Sequence, residues 1–388
     1  MTSGQPVYLD HLATTPVDPA VLAAMTDVLR EHFGNASSGT HAYGWSAQAL
    51  AENARAEVAA LVSCEPREVV FTSGATEANN LALRGTADLW PQPGRIVTTT
   101  LEHSSVDRTL DVLAARGWQV VRVPCGPDGL VPAAAVADAL TDDTRLVAVN
   151  AAQNELGTLQ PWARIAAACR ERGVVCHVDA AQAAGKVPLD FRADGIGLLA
   201  LSAHKIYGPK GVGALVVRAR EPRVELRPQI TGGGQERGLR AGTLNVPAVV
   251  GMGVACRLAL ARRERDAARL REQGARLYAR LADRIADLVL NGDARARLPG
   301  CLNLRFPGVP AGELMRAVPT LALSAGAACT SGEGRPSAAL LALGLNAEQA
   351  GCCLRLSLGR GTTDAEVDAA ADRLAAAVLE LRKEKGTA

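Results

Sequence analysis

The sequence predicts an α/β fold in two domains. Between about residues 68 and 220, short runs rich in β-branched residues alternate with Ala-rich helical stretches, which is typical of a mostly parallel sheet with crossover helices. The 388 residues suffice for two domains of ordinary size. A helical periodicity from about residue 255 to 288 then separates this region from a second set of strand-like runs. We therefore expect a large α/β domain over residues 16–254, and a smaller α+β domain from residues 1–15 and 255–388.

The large domain should contain a seven-stranded sheet. Its predicted strands are EVVFTS, RIVTTT, WQVVRVP, TRLVAVN, GVVCHVDA, LLALSAH and GALVVR. Ligands of open α/β sheets bind at the carboxyl ends of the strands, so functional side chains are expected directly after these runs. In the smaller domain, CLNLRF, LALSA and CLRLSL predict strands, and an Ala-rich helix beginning near Thr363 closes the chain.

Composition and charge exclude several classes of function. The net charge is +2 and no long basic run occurs, so nucleic acid is not expected as a direct ligand. No segment reaches the roughly 20 apolar residues that span a bilayer, and no leader sequence is recognisable, so no membrane partner is expected. The nine cysteines are irregularly spaced, without a C-x-x-C pair, which fits a reducing compartment. We therefore expect a cytoplasmic protein.

A lysine directly follows the predicted strand LLALSAH. Lys205 lies in the segment Ser202-Ala203-His204-Lys205, which precedes a Gly/Pro-rich turn. A lysine held at a strand end beside polar residues can form a Schiff base with a carbonyl group. A solvated surface turn is the alternative that this motif alone leaves open.

A carboxylate ends the preceding predicted strand. Asp179 follows the apolar run VVCHV, one strand earlier than Lys205, so both side chains could reach the same edge of the sheet. A buried carboxylate needs a cationic partner, and a protonated pyridine nitrogen would serve. Asp179 as the N-cap of a helix is the alternative.

A phosphate-binding turn is predicted after the first strand. The segment Thr72-Ser73-Gly74-Ala75-Thr76-Glu77 reads as a strand end, a glycine turn and a helix start. Free N–H groups at that helix terminus, with the Thr76 hydroxyl, would bind a phosphate. An ordinary capped helix, with Glu77 placed favourably for the helix dipole, is the alternative.

These signals occur among motifs that span almost the whole chain. The motifs are Tyr8-Leu9-Asp10, Ala13-Thr14-Thr15-Pro16, Gly34-Asn35-Ala36-Ser37-Ser38, Ser73-Gly74-Ala75-Thr76-Glu77, Glu102-His103, Gln153-Asn154-Glu155-Leu156-Gly157, His177-Val178-Asp179-Ala180-Ala181-Gln182, Ser202-Ala203-His204-Lys205, Gly232-Gly233-Gly234-Gln235-Glu236, Arg240-Ala241-Gly242-Thr243, Ala328-Cys329-Thr330-Ser331 and Leu354-Arg355-Leu356-Ser357. With them the sequence resembles the fold-type I pyridoxal-phosphate (PLP) enzymes of the class V aminotransferase group, and within that group the NifS/IscS-like cysteine desulfurases.

The resemblance implies a role for each residue of the site. Lys205 would hold PLP as a Schiff base, Asp179 would keep the pyridine nitrogen protonated, and His103 would stack on the ring and pass protons. Asn154 and Gln182 would lie near the ring oxygen, and Ala75, Thr76, Ser202 and His204 would surround the phosphate. Arg355, helped by Asn35, would bind the substrate carboxylate. Thr243 would reach the phosphate from a partner subunit, which implies a homodimer.

The resemblance also implies that Cys329 is the sulfur carrier. Cys329 lies in a segment of small residues and glycines, LSAGAACTSGEGRP, which would give a nucleophilic thiol both exposure and mobility. For Cys64, Cys169, Cys176 and Cys256 we expect inert, buried thiols. Cys352 and Cys353 would point to opposite faces of a strand, which makes them a poor metal site, and no metal site is predicted.

The implied activity is removal of sulfur from free L-cysteine, which leaves L-alanine and a persulfide on Cys329. The persulfide would pass to an acceptor protein, an iron–sulfur scaffold or a thiolation enzyme. Iron–sulfur assembly, tRNA thiolation, DNA phosphorothioation and natural-product sulfuration all stay open. A selenocysteine lyase or a class V aminotransferase on the same fold is the alternative, in which Cys329 would be dispensable. A non-catalytic protein that keeps PLP only for stability is a third hypothesis.

Overall fold

The computed structural model describes residues 6–326 and 336–386. The strands in chain order are β1 Val7–Tyr8, β2 Val69–Thr72, β3 Arg95–Thr99, β4 Gln119–Val123, β5 Thr144–Asn150, β6 Val175–Asp179, β7 Leu198–Ser202, β8 Gly213–Val217, β9 Val289–Leu290, β10 Cys301–Arg305, β11 Leu321–Ala322 and β12 Cys353–Ser357. The helices are α1 Pro19–Glu31, α2 Ala42–Val62, α3 Ala75–Ala87, α4 Ser104–Ala115, α5 Ala133–Asp138, α6 Trp162–Glu171, α7 Val246–Ala282, α8 Ala311–Ala317, α9 Ala338–Ala342, α10 Ala347–Gly351 and α11 Asp364–Glu384.

The predicted seven-stranded sheet is confirmed. Its strand order is β2-β8-β7-β6-β5-β3-β4. Strand β8 runs antiparallel to both β2 and β7, and the other neighbours are parallel. Every residue of β7 and β8 is buried, as expected for strands that helices cover on both faces.

The long helix starts earlier than the sequence predicts. Helix α7 begins at Val246 and ends at Ala282, whereas the periodicity indicated about 255 to 288. The Asn245 side chain caps its first turn by accepting a hydrogen bond from the Ala248 N–H at 3.2 Å. Glycines lower the helix propensity of this first part, so the sequence pattern does not predict it as helical. They are needed for packing, because a Cβ atom on Gly253 would lie 2.7 Å from the Cα atom of Ala54 on α2.

A second, smaller core forms around α11. Strands β9, β10 and β12 make an antiparallel sheet, and β1 pairs with β11 in parallel. The core joins Val7 and Leu9 near the N-terminus to apolar residues between Leu277 and Val378. The proposed division of the chain at residues 254 and 255 falls inside α7 and stays a prediction.

The fold brings strand ends and the two cores to one place. The carboxyl ends of β6 and β7 lie beside the start of α3, and β12 of the smaller core approaches from the other side. Within the described ranges, no helix is long and apolar enough to cross a bilayer.

Candidate active site

A cleft of about 410 Å³ lies at the carboxyl ends of β6 and β7. It gathers ten of the predicted site residues, which are separated widely in sequence. They are Ala75, Thr76, His103, Asn154, Asp179, Gln182, Ser202, His204, Lys205 and Arg355. Because parallel strands end at the same edge of the sheet, the strand-end residues are brought together by the topology alone.

Lys205 reaches across the cleft floor to the N-terminal segment. It ends a short 3-10 turn, Ala203–Lys205, that directly follows β7. Its Nζ atom donates hydrogen bonds to the carbonyl oxygens of Leu12 and Ala13 at 2.5 and 2.9 Å. The amine is therefore held at the strand end, and the alternative of a solvated surface turn is wrong.

Asp179 is buried at the end of β6, with 6% of its surface exposed. Its Oδ2 atom accepts a hydrogen bond from Asn79 Nδ2 at 2.8 Å, and its Oδ1 atom accepts one from the Ala181 N–H at 3.0 Å. Because the carboxylate accepts one described hydrogen bond on each oxygen and lines the cleft, it can also face a cationic ring nitrogen. It caps a turn and not a helix.

His103 caps α4 with its own ring. The Nδ1 atom accepts a hydrogen bond from the Ser105 N–H at 3.1 Å and lies 2.8 Å from the Ser105 hydroxyl oxygen. Burial lowers the pKa of His103, an effect that Asp179 opposes and Lys205 reinforces. The imidazole is therefore biased towards its neutral form.

The N-terminus of α3 lines the cleft through Gly74, Ala75 and Thr76. Gly74 stands at the cap position, and among the described residues no side-chain cap hydrogen bond is present, so backbone N–H groups there can bind an anion. Ser202 and His204 line the same cleft. Burial, reinforced by Lys205, lowers the pKa of His204 to about 4, so its imidazole is neutral at pH 7 and can donate or accept a hydrogen bond.

The turn before α3 packs closely on the sheet. A Cβ atom on Gly213 of β8 would lie 2.4 Å from the carbonyl oxygen of Leu201 and 2.6 Å from the Cα atom of Gly74. Only glycine at this position lets the two strands and the turn approach so closely. The position of the anion-binding turn is therefore fixed by the sheet beneath it.

Gln182 is oriented by two partners. Its Nε2 atom donates to the carbonyl oxygen of Leu12 at 2.9 Å, and its Oε1 atom accepts from Lys186 Nζ at 3.0 Å. Burial lowers the pKa of Lys186 to about 7, and the nearby charge of Lys205 adds to the effect. One N–H of the Gln182 amide is left to donate, which suits a ring oxygen.

Arg355 reaches the cleft from β12 and is almost completely buried. Its guanidinium donates to Asp10 Oδ1 at 2.6 Å and to the carbonyl oxygen of Asn154 at 2.7 Å. Its Nε atom has no hydrogen-bond partner among the described residues. Because Arg355 also lines the cleft, its guanidinium could pair with a carboxylate bound there.

Three predicted site residues do not lie in this cleft. Asn35 and Thr243 are exposed and are not among its lining residues. Cys329 lies outside the described residues. The roles predicted for these three residues stay predictions.

The described cysteines are all free thiols. Cys169, Cys176 and Cys256 are buried as predicted, whereas Cys64 is only half-buried. Burial still raises the pKa of Cys64, so its thiol is neutral. The prediction that Cys352 and Cys353 lie on one strand is wrong, because Cys352 is the C-cap residue that follows α10 and only Cys353 belongs to β12.

The residues of the cleft fit PLP. An uncapped helix terminus suits the phosphate, a buried carboxylate suits the pyridine nitrogen, and a fixed lysine amine suits the aldehyde. Sequence reasoning missed Asn79, Ser105, Asp10 and Lys186, which orient these groups. Asn79 lies two residues beyond the predicted phosphate-binding turn, but no local signal distinguishes a buried Asn on an Ala-rich helix from an exposed one.

Comparisons with known proteins give a consistent result. The family model of class V aminotransferases matches residues 7–370. The "Cysteine desulfurase IscS" of Neisseria meningitidis serogroup C is 46% identical over 384 residues, which cover 99% of this chain and 95% of that protein. A solved "NifS-like protein" superposes with a TM-score of 0.90 at 32% identity, covering 97% of this chain and all of the other. "SspA in complex with cysteine" gives a TM-score of 0.81 at 34% identity, with 90% and 98% covered.

Proposed function

The chain belongs to the class V aminotransferase family, and we propose that it is a PLP-dependent cysteine desulfurase that forms L-alanine and a persulfide on Cys329. The observation that carries the proposal is the convergence of Lys205, Asp179 and Arg355 on one cleft. These three groups supply an amine for the cofactor, a counter-charge for its ring, and a buried cation for the carboxylate of an amino acid. The names of the relatives support cysteine as that amino acid.

The cofactor part of the proposal assigns one task to each residue. When bound, PLP supplies the electron sink that stabilises negative charge at the substrate carbon. Asp179 holds the proton of the pyridine nitrogen in place, and Lys205 provides the amine and afterwards a base beside the substrate. Gln182 donates a hydrogen bond to the ring oxygen. The N–H groups of Ala75 and Thr76, with the side chains of Ser202 and His204, bind the phosphate.

The substrate part depends on Arg355 and Cys329. Arg355, which lines the cleft, binds the substrate carboxylate through its guanidinium, and so it orients the substrate sulfur. The thiolate of Cys329 then attacks that sulfur. An S–S bond forms, the C–S bond breaks with its electron pair left on carbon, and protonation of that carbon gives alanine.

A second copy of the chain completes the site in this proposal. Thr243 and Asn35 are exposed and lie outside the cleft of their own chain, so they are available to a partner. Large apolar side chains are exposed around the start of α2, and the rings of Phe33 and Tyr43 stack at 5.3 Å. Such a patch is typical of an interface between subunits, which supports a homodimer.

The acceptor of the persulfide is a protein in this proposal. A thiol on a segment of small residues can present its sulfur outside the cleft, where an iron–sulfur scaffold or a thiolation enzyme could dock. The free state of all eight described cysteines supports a reducing, cytoplasmic location.

The test is alanine formation from L-cysteine by purified protein, together with PLP content. Wild type should contain PLP and form alanine, and Cys329→Ser should bind PLP normally while alanine formation falls by about 10²-fold or more. Mass spectrometry after limited L-cysteine should find the added sulfur on the Cys329 peptide. Normal turnover by Cys329→Ser would favour the selenocysteine lyase or aminotransferase alternative.

A matched pair of variants tests the cofactor. Lys205→Ala should lose both the absorbance of protein-bound PLP and all turnover, whereas Lys383→Ala near the end of α11 should keep both. A Lys205→Ala protein with full absorbance and activity would contradict the cofactor assignment.

A further inference from the structure

A continuous chain of buried hydrogen bonds runs behind the cleft. The His177 Nε2 atom lies 2.9 Å from Asn79 Oδ1, and Asn79 Nδ2 lies 2.8 Å from both Asp179 Oδ2 and Ser105 Oγ. The Ser105 Oγ atom lies 2.8 Å from His103 Nδ1. Asn79 and His177 are completely buried, and Ser105 and Asp179 are nearly so.

The charge of Asp179 fixes the direction of every hydrogen bond in the chain. A carboxylate only accepts, so the Asn79 atom that faces it must be the amide nitrogen. The two hydrogens of that nitrogen go to Asp179 and to Ser105 Oγ. The amide oxygen of Asn79 must then accept, so His177 carries its proton on Nε2. Burial lowers the pKa of His177 to about 4, so the neutral ring carries only this one proton and its Nδ1 atom is left unprotonated.

The same reasoning decides the state of His103. The Ser105 hydroxyl accepts from Asn79, and its own hydrogen can be donated to His103 Nδ1. The Ser105 backbone N–H donates to the same Nδ1 atom at 3.1 Å. Two donors point at one nitrogen, which must therefore carry a lone pair. The positive end of the α4 dipole lies at this terminus and disfavours protonation further.

We propose that Asn79 and Ser105 are positioning residues that hold His103 as the neutral tautomer with its proton on Nε2. The proposal rests on the proposed function and deepens it. His103 then acts in the cleft as a proton donor through Nε2, and protonation of Nδ1 requires loss of the helix cap. Asp179 thus sets both the charge of the cofactor ring and the tautomer of the histidine beside it.

Other charged groups surround His103. In the cleft they are Asp179, Lys205, His204, Lys210 and Arg355, with Glu102 preceding His103 in the chain. On the side of α3 and α4, Arg84 and Arg108 line a second cavity with His103. Asp179 raises the pKa of His103, and Lys205 lowers it. Replacing Ser105 changes none of these charges, so its effect on His103 reports the hydrogen bond alone.

The test is nitrogen NMR of the holoenzyme with ¹⁵N-labelled histidine, in which only six histidines contribute signals. A His103→Gln variant assigns the His103 signal. In wild type, Nδ1 should be unprotonated and Nε2 protonated at pH 7. Ser105→Ala should raise the pKa of His103 by about 0.5 to 1 unit, because it removes one donor to Nδ1. Ser104→Ala, an exposed neighbour in the same helical turn, should leave the pKa unchanged.

Kinetics give a second measurement. Ser105→Ala should lower kcat/KM at pH 7 by about 3- to 10-fold and shift the acidic limb of the pH profile upwards. A proton on Nδ1 in wild type, or equal His103 pKa values in Ser105→Ala and Ser104→Ala, would overturn the proposal. If such a protein still forms alanine, the proposed desulfurase function is unaffected. The expected tautomer in a protein that forms no alanine would instead support the hydrogen-bond chain and refute the function.

Discussion

The two walls of the cleft are built differently. The His103 wall comprises Asn79, Glu102, His103, Ser105 and Asp179. Hydrogen bonds link these side chains to one another or to the backbone, and one carboxyl oxygen of Glu102 is buried without a described partner. The Arg355 wall comprises Asp10, Asn154 and Arg355.

The Arg355 wall contains a hydrogen-bond donor without a described partner. Arg355 is ion-paired with Asp10 at 2.6 Å, yet its Nε atom has no described partner. An unsatisfied buried donor costs free energy in the folded state, whereas the hydrogen-bonded groups of the His103 wall carry no such cost. Each wall therefore holds one buried polar atom without a described partner, an acceptor oxygen of Glu102 in the His103 wall and a donor nitrogen of Arg355 in the other.

The largest expected effect is on turnover, and it follows from replacing Asp179, the carboxylate that sets the direction of the hydrogen bonds in the His103 wall. Asp179→Asn replaces an acceptor by a group that can donate, so the direction of the hydrogen-bond chain is lost together with the charge facing the ring. We expect kcat/KM for alanine formation to fall on the order of 10²- to 10⁴-fold. Asp138→Asn, at an exposed position on α5, is the control. If Asp179→Asn turns over within twofold of wild type, Asp179 neither orients the hydrogen bonds of the His103 wall nor supplies a charge that the reaction requires.

A smaller effect is expected on the Arg355 wall. Arg355→Lys keeps a positive charge but loses the planar set of donors. We expect the KM for L-cysteine to rise by about 10- to 100-fold, the worth of a hydrogen bond between charged groups, with the PLP absorbance unchanged. Arg305→Lys, on the paired strand β10, should leave KM unchanged. A fall in kcat at constant KM would contradict carboxylate binding.

The smallest expected effect is on the pH dependence of stability, and it concerns Glu102, whose second carboxyl oxygen has no described partner. Burial raises the pKa of Glu102 from its ordinary 4.5 to about 8. The folded state therefore holds a proton that the unfolded state has lost, and the contribution of Glu102 to stability is present below pH 4.5 and is lost as pH rises to about 8. Glu102→Gln should remove this loss.

Urea unfolding at pH 5, 6.5 and 8 measures the effect of Glu102. The free energies of unfolding of wild type and Glu102→Gln should diverge as pH rises, in favour of the variant. Burial lowers the pKa of His177 and of His204 to about 4, so their contributions change mainly below pH 6.5 and affect both proteins equally. Parallel curves would show that Glu102 is ionised in the folded state.

Much of the fold could be predicted because its signals are local. Each strand of the large sheet is a short apolar run, and Asp179 and Lys205 stand at or just after strand ends, where the topology must bring them together. The start of α7 was missed because Gly251 and Gly253 weaken the helical pattern, although close packing requires them.

The residues that orient the site could not be predicted. Asn79 and Asp179 are 100 positions apart, and Arg355 and Asp10 are 345 apart. Each pair is joined only by the tertiary fold, and neither member carries a local sign of its partner. The tautomer of His103 depends on three successive hydrogen bonds from Asp179 through Asn79 and Ser105. The residues next to His103 in the sequence therefore cannot predict it.

Helix α7 has a consequence for how the molecule unfolds. It is 37 residues long, about 55 Å. Its first half packs Met252 and Cys256 into the large core, and its second half packs Leu277 and Leu281 into the smaller one. The two cores therefore share one helix. Unfolding of either core would remove the packing from one half of α7 and destabilise the half that packs in the other core, so the two cores cannot unfold independently. The chain should lose both in a single cooperative transition.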